Sequence, residues 1–257
     1  MHESQAAYDT AVAAEIVAEN QLAIARVELE EITNQQINEL MPLAAEIPLQ
    51  RPEPSQMEHW LTEAESNNKS LAALKQQLII SEKSVDSARS GHYPTLDLRA
   101  SHSYSDSFNS TFFGDTTTNL SLQLDLPLYR GGQTNSQVRQ SLHQLDAARE
   151  EHEQLRRSVE RQVRSAYLDV TATISQVKAL QQALVSSQSA LQASEGGLEV
   201  GTRTTVDVLN TRRELFRAKS NLAQAKYRFI LSTLQLKQAA GILNEADLQM
   251  INNWLQS

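Results

Sequence analysis

Apolar residues along this chain keep two different periods, and the points where the period changes divide it into elements. Residues 1–41 contain neither Gly nor Pro. Ala6, Ala7, Ala11, Ala14, Ala18, Leu22, Ala25 and Leu29 recur there at helical spacing, which predicts a helix. Pro42, Pro48, Pro52 and Pro54 mark an irregular connector. Ser55-Gln56-Met57-Glu58 has the form of a capping box opening a short helix to about Ser66. A further helix over about 69–90 carries Leu71, Leu74, Leu78, Val85 and Ala88, with Gly91 as its stop. From Tyr93 the period becomes two. Leu96, Leu98, Ala100, His102 and Tyr104 alternate with Thr95, Asp97, Arg99, Ser101 and Ser103. After a polar, Gly-containing loop, Leu120, Leu122, Leu124, Leu126 and Leu128 alternate with Ser121, Gln123, Asp125 and Pro127.

Past Arg130-Gly131-Gly132 the helical period returns. Gln133 to Glu195 holds no Gly or Pro, and Val138, Leu142, Leu145, Leu155, Val159, Val163, Tyr167, Val170, Ile174 and Val177 keep a step of three or four. A continuous helix there would be roughly 95 Å long, far beyond the usual three to four turns. Gly196, Gly197 and Gly201 are expected to break it, and 202–240 is again free of breakers. A short loop between two such helices makes them antiparallel neighbours. Gly241 ends the return helix, and Asn244 with Asp247 caps a last short helix reaching Trp254. Residues 8–34 also overlay weakly on 215–241, as though the first helix closed an earlier, similar unit.

The two period-two runs have two readings. They form a hairpin with one face on a soluble core, or tilted strands long enough to cross a bilayer. The second run puts five leucines on one face and the chain has no other sheet to cover them, which favours the bilayer. Two strands cannot close a barrel, so their edges require strands from elsewhere and imply an oligomer.

Composition narrows the class of function. Aromatics at 5 %, with 8 Gly and 6 Pro in 257 residues, suit long helices with narrow apolar stripes better than an ordinary globule. With no Cys there is neither a disulfide nor a thiolate metal site, and a net charge of −8 argues against nucleic-acid binding. No apolar run is long enough for a transmembrane helix. Met1-His2-Glu3 leads into polar helical sequence without a signal-peptide pattern, so the chain is expected to be a fragment. The histidines are dispersed, and His143 and His152 lie too far apart on one helix to share a metal ion. Glu150-Glu151-His152-Glu153 reads as a solvated helical face, and Gly131-Gly132 lacks the Lys and the βαβ unit of a phosphate loop. No enzyme, cofactor or metal is expected.

The informative stretch is Leu198-Glu199-Val200-Gly201-Thr202-Arg203-Thr204-Thr205-Val206-Asp207-Val208-Leu209-Asn210. As chemistry it is a tight interhelical turn: Gly supplies an unusual backbone angle, Thr204 or Thr205 caps the return helix, and Asp207 complements the helix dipole. None of this accounts for an Arg at the apex. The run from Val200 to Leu209 resembles the periplasmic tip of the TolC family of outer-membrane efflux channels. Tyr93-Pro94-Thr95-Leu96-Asp97-Leu98 is similar to the start of that family's strands. Leu126-Pro127-Leu128-Tyr129-Arg130-Gly131-Gly132 with Asn135-Ser136-Gln137-Val138 resembles its strand-to-helix exit, and Gly241-Ile242-Leu243-Asn244 the end of its return helix.

The resemblance implies a fold that is mainly α with a β-hairpin. Long antiparallel helical hairpins form an α-barrel segment, and two strands join a trimeric transmembrane β-barrel. By it, 1–41 is an α-barrel helix ending a first repeat, 42–68 a connector with a short equatorial helix, and 69–91 another α-barrel helix. Residues 92–132 are the transmembrane hairpin, 133–241 the long helical hairpin with its periplasmic tip at 196–210, and 242–257 a C-terminal equatorial helix. The implied function is the passive exit duct of a tripartite efflux or type I secretion system, set in the bacterial outer membrane and extending into the periplasm. Its implied partners are two further copies in a homotrimer, a periplasmic adaptor (membrane fusion) protein, an inner-membrane pump and outer-membrane lipid. Asp97, Arg99, Ser101, Gln123 and Asp125 would face the barrel lumen. Leu198, Gly201, Thr202, Arg203, Asp207 and Asn210 would form the gate, Arg203 as a hydrogen-bonding latch and Asp207 as part of an acidic ring. Leu198 stands where a well-known member has a Tyr that links to a neighbouring hairpin, and Asn210 where it has a second acid, so the ring would be weaker. The competing reading is a soluble helical-hairpin adaptor or scaffold of the cell envelope.

Overall fold

The two periods translate into helices and one pair of strands. The computed structural model describes residues 2–36, 40–105 and 115–255; the expected strand-joining loop and part of the expected 1–41 helix (37–39) lie outside them. In chain order the elements are α1 His2–Thr33, α2 Met57–Asn67, α3 Lys69–Ser90, β1 Thr95–Ser105, β2 Asp115–Asp125, α4 Gln133–Glu199, α5 Thr205–Ala239 and α6 Glu245–Asn252. The chain is mainly α with one antiparallel two-stranded sheet among the described residues. It divides into two compact units, residues 1–64 with 162–257, and residues 65–161.

In the first unit the organising feature is a seam with a seven-residue repeat. On α5, Val208, Leu215, Leu222, Phe229 and Leu236 are buried, and Ala218, Ala225 and Ser232 lie between them. On α4, Val163, Val170 and Val177 are buried at the same spacing, with Thr173 and Ile174 between. A strict heptad averages 3.5 residues per turn, so the seam stays buried when the pair winds left-handedly. Small residues let the backbones approach closely. The Thr173 and Ser232 hydroxyls meet at 3.2 Å in the seam, and Arg212 Nη2 lies 2.7 Å from Glu195 Oε1 nearer the turn, which together fix an antiparallel register.

Polar bonds hold the connector to α2 and to this hairpin. Trp60, buried in α2, donates its indole N–H to the Pro54 carbonyl at 2.8 Å, the Tyr167 hydroxyl donates to Ser55 O, and Lys226 Nζ to Ala45 O. An isolated bridge joins Leu43 to Leu255, with Ala44 N–H donating to Trp254 O at 2.9 Å.

After α5, Gly241 takes φ 73°, and the N–H groups of Gly241 and Ile242 donate to the carbonyls of Gln238 and Lys237, both at 3.0 Å. That left-handed stop suits Gly. Asn244 then caps α6 in a full capping box with Asp247. The Asp247 side chain is only 9 % exposed and pairs with Lys237 Nζ. Burial pushes its carboxyl up, but the Lys237 and Asn244 hydrogen bonds outweigh that and hold it below the ordinary carboxylate range. A depressed folded value contributes stability above the unfolded pKa, roughly 4, and loses it as pH falls through the folded value. Hydrogen-exchange protection of α6 should therefore fall on acidification below pH ~4, and Asp247→Asn should lower it at neutral pH; a flat profile would contradict the pair.

Two boundaries differ from expectation. α1 ends at Thr33, well before residue 41. Asn34 adopts φ 51° with its N–H on the Glu30 carbonyl at 2.8 Å, a left-handed stop that Asn tolerates and that the overlay of 8–34 on 215–241 sets against Gly241. The expected break at Gly196-Gly197 does not occur either, because α4 continues through both to Glu199. Along α1, Tyr8, Ile16, Val17, Leu22, Ile24, Val27 and Ile32 are exposed, so these apolar positions are not covered by the described residues.

In the second unit, α3 is capped by Asn68, whose side chain accepts from Ser70 and Leu71 N–H at 3.0 and 3.2 Å. Leu71 and Val85 on α3, and Leu145 and Val159 on α4, are its buried apolar residues. Gly91 ends α3 where an added Cβ would stand 3.2 Å from Thr134 Cγ2, so the two helices meet closely there. Arg156 bonds Glu153 and lies 3.6 Å from Glu65. Gly131 and Gly132, at φ 58° and 81°, turn the chain from β2 into α4.

Candidate functional site

Two sets of residues carry candidate function, the turn between α4 and α5 and the two faces of the β-hairpin. The turn is built around one carbonyl. Gly197 O accepts from Thr202 N–H at 2.8 Å, Arg203 N–H at 3.1 Å and the Thr202 hydroxyl at 3.1 Å, while Gly201 N–H donates to Leu198 O at 3.1 Å. With Gly201 at φ 76°, this closes the α4 C-terminus in a left-handed stop that L side chains rarely adopt. Gly197 has no Cβ because one would lie 2.6 Å from Arg203 Cγ. Gly197 therefore serves closure of the turn inside the last turn of α4, offsetting a helix-propensity cost of about 1 kcal/mol, whereas a Cβ at Gly196 would meet nothing within 4 Å.

The return helix begins at a full capping box. Thr204 N–H and the Thr204 hydroxyl both donate to Asp207 Oδ2, at 2.9 and 2.8 Å, and Asp207 N–H donates to Thr204 Oγ1 at 3.2 Å. The backbone N–H of Thr204, then its hydroxyl, then the nearby Arg203 charge, hold the Asp207 carboxyl below its usual range. The Arg203 guanidinium itself makes no hydrogen bond or ion pair among the described residues. Leu198, Val200, Val206 and Leu209 are exposed apolar side chains around the turn, and Asn210 is exposed one turn into α5. Leu198, Gly201, Thr202, Arg203, Asp207 and Asn210 are thus gathered at one end of the hairpin. Sequence reasoning overlooked Gly197 as the shared acceptor and Thr204 as the holder of the Asp207 carboxylate. The motif was visible as Thr-x-x-Asp, but two adjacent threonines left the capping residue open.

The strand register sorts the hairpin into two faces. Asp97 pairs with Gln123, Arg99 with Ser121, Ser101 with Asn119 and Thr95 with Asp125, so Asp97, Arg99, Ser101, Gln123 and Asp125 share one face. Asn119 and Ser121 join them there. Leu96 pairs with Leu124, Leu98 with Leu122 and Ala100 with Leu120 on the other face, and these leucines are between 64% and 70% exposed. Among the described residues no group of His, Asp and Glu stands close enough to hold a metal ion, and no helix is long and apolar enough to cross a membrane.

Residues 60–242 match the family model described as outer membrane efflux protein. The chain is 39% identical to the outer membrane protein TolC of Escherichia coli K12 over 98% of its own length and 53% of that relative's. It is 30% identical to the proteases secretion protein PrtF of Dickeya chrysanthemi, over 100% of its length and 57% of the relative's. The chain therefore spans about half the length of the curated relatives it matches. Among solved structures it resembles the open state of the Neisseria gonorrhoeae MtrE outer membrane channel, with a TM-score of 0.70 at 18% identity, covering 88% of this chain and 52% of that one. That likeness is one of fold.

Proposed function

Because this chain belongs to the outer membrane efflux protein family, we propose that it is part of a passive trimeric exit duct in the bacterial outer membrane, gated at its periplasmic helical tip. It is a transport channel component and not an enzyme. In this reading β1 and β2 pair at their free edges with strands from elsewhere in the assembly to close one barrel, because every backbone polar group must be bonded in the bilayer. Asp97, Arg99, Ser101, Gln123 and Asp125 then face the water-filled lumen. The α4–α5 hairpin lines a periplasmic tunnel. A periplasmic adaptor docks on the assembly, and an inner-membrane pump supplies the energy that the duct lacks. The family model is described for outer membrane efflux and one relative is named for secretion of proteases, so either route of export suits the duct.

The observation that carries this reading is the leucine face of the hairpin. Leu96, Leu98, Leu120, Leu122 and Leu124 stand exposed in a sheet with two free edges, and none of the described residues covers them. A soluble scaffold would leave that face in water.

At the tip, the Arg203 guanidinium has its donor fork free of partners among the described residues, which suits a breakable latch to an acceptor on a neighbouring hairpin. Asp207 adds one carboxylate per protomer to the constriction. Asn210 adds none, and Leu198 offers apolar surface without a hydrogen bond. Arg203→Ala in the full-length trimer should raise the mean single-channel conductance in planar bilayers. Each lost charge-assisted bond would shift the closed-to-open ratio by roughly tenfold or more. Conductance equal to that of the parent would remove Arg203 from the gate.

A further inference from the structure

We propose that the cavity where the connector meets the α4–α5 hairpin is a binding site for a small, single-ring aromatic carboxylate. Its lining falls wholly within the first compact unit, and none of it belongs to the 196–210 turn or to the strands. The floor is apolar, for Trp60, Val170, Phe229 and Leu236 line it and all four are buried. Small-molecule sites have this form, a mostly apolar concavity with a few polar groups that set orientation. At about 150 Å³ it has the volume in which an apolar cavity holds a benzene-sized ring.

The polar groups around that floor select the charge of the occupant. Trp60 spends its indole N–H on the Pro54 carbonyl at 2.8 Å. Trp254 also lines the cavity, and its indole N–H makes no hydrogen bond among the described residues. Arg51 stands at the exposed rim, and its guanidinium likewise has neither a hydrogen bond nor an ion pair among them. Lys237 bonds Asp247, which leaves its ammonium further N–H donors. Glu53 is the one acid of the described lining, and it is exposed and makes no ion pair with Arg51. Unspent donors therefore outnumber charged acceptors. A planar guanidinium matches a carboxylate with two parallel N–H···O bonds, while a flat ring joined to that carboxylate covers the apolar floor. An uncharged ring would leave Arg51 unused.

The test titrates the full-length protein in detergent with benzoate by calorimetry, beside benzyl alcohol and benzylamine as neutral and cationic rings of similar size. Benzoate should bind saturably, one molecule per protomer, and more tightly than either control. Arg51→Gln, at an exposed position, should weaken benzoate binding by roughly tenfold or more and leave benzyl alcohol unchanged. Thr233 lines the cavity, half-buried, and its hydroxyl bonds only its own helix at Phe229 O. Thr233→Phe should therefore put a ring into the space and abolish binding of benzoate and benzyl alcohol alike. Should that variant fail to assemble, Arg51→Gln against the three rings decides alone. Absence of saturable benzoate binding to the parent would overturn the site, as would benzoate binding that Arg51→Gln leaves unaltered. Equal losses of benzoate and benzyl alcohol in Arg51→Gln, or tighter binding of benzylamine than of benzoate, would overturn the carboxylate as its ligand.

Discussion

Leu122→Arg should sharply reduce the yield of assembled trimer in isolated outer membranes, whereas Gln123→Arg, one residue along, should leave the yield near that of the parent. The two positions lie on opposite faces of β2. Leu122 stands opposite Leu98 on the exposed apolar face, and Gln123 opposite Asp97 on the polar one. A charge on a lipid-facing strand position costs about 2–4 kcal/mol near the bilayer midplane. The proposed threefold symmetry would repeat that cost in each protomer. On the proposed lumen face the same side chain would stay in water and change only the field that permeating ions meet. Gln123→Arg should therefore shift ion selectivity toward anions in reversal-potential measurements while assembly continues. Equal assembly of the two variants would mean that the leucine face does not meet lipid.

Phe229→Ala should be the most damaging single change in the helical hairpin. Phe229 is 1% exposed and occupies a central position of the heptad seam on α5. It also lines a cavity of about 150 Å³ together with Trp60, Val170, Leu236, Met250 and Trp254. Truncation would enlarge space that is already imperfectly filled, so the neighbours gain little by collapsing inward. A loss of about 3–5 kcal/mol is expected for such a deletion. The observable is a lower urea midpoint with an unchanged slope. A change below about 1 kcal/mol would show that the site repacks, as volume-tolerant cores do.

The helical hairpin was legible in the sequence because its physics is local. The absence of Gly and Pro from 133 to 195, with apolar residues at steps of three and four, leaves a helix as the continuous structure that buries one stripe. The strands were legible for the same reason, since alternation at Leu96, Leu98, Leu120, Leu122 and Leu124 assigns every side chain a face once the register is set. Boundaries were less so. Asn34 ended α1 through a left-handed backbone well before Pro42, and α4 ran through Gly196-Gly197 to Glu199, where a Cβ at Gly197 would meet Arg203 Cγ. At the tip, the sequence pointed to Arg203 and Asp207 but left the capping threonine open. The choice depended on which hydroxyl the first turn of α5 brings within reach of Asp207.

The sequence by itself therefore determined periodicity: which segments are helical, which alternate, and where a charged, glycine-bearing turn joins two long helices. Propensity, hydrophobic spacing and backbone restriction act over a few residues, and a linear chain displays them directly. Tertiary structure decided register and partnership. It matched Thr173 to Ser232 and Arg212 to Glu195, buried Asp247 against Lys237, and put three donors on the Gly197 carbonyl. The pairing of Thr173 with Ser232 joins residues 59 positions apart and depends on close packing of whole helices, a property no local window contains. The same packing left the leucine face of the hairpin and the apolar positions of α1 uncovered.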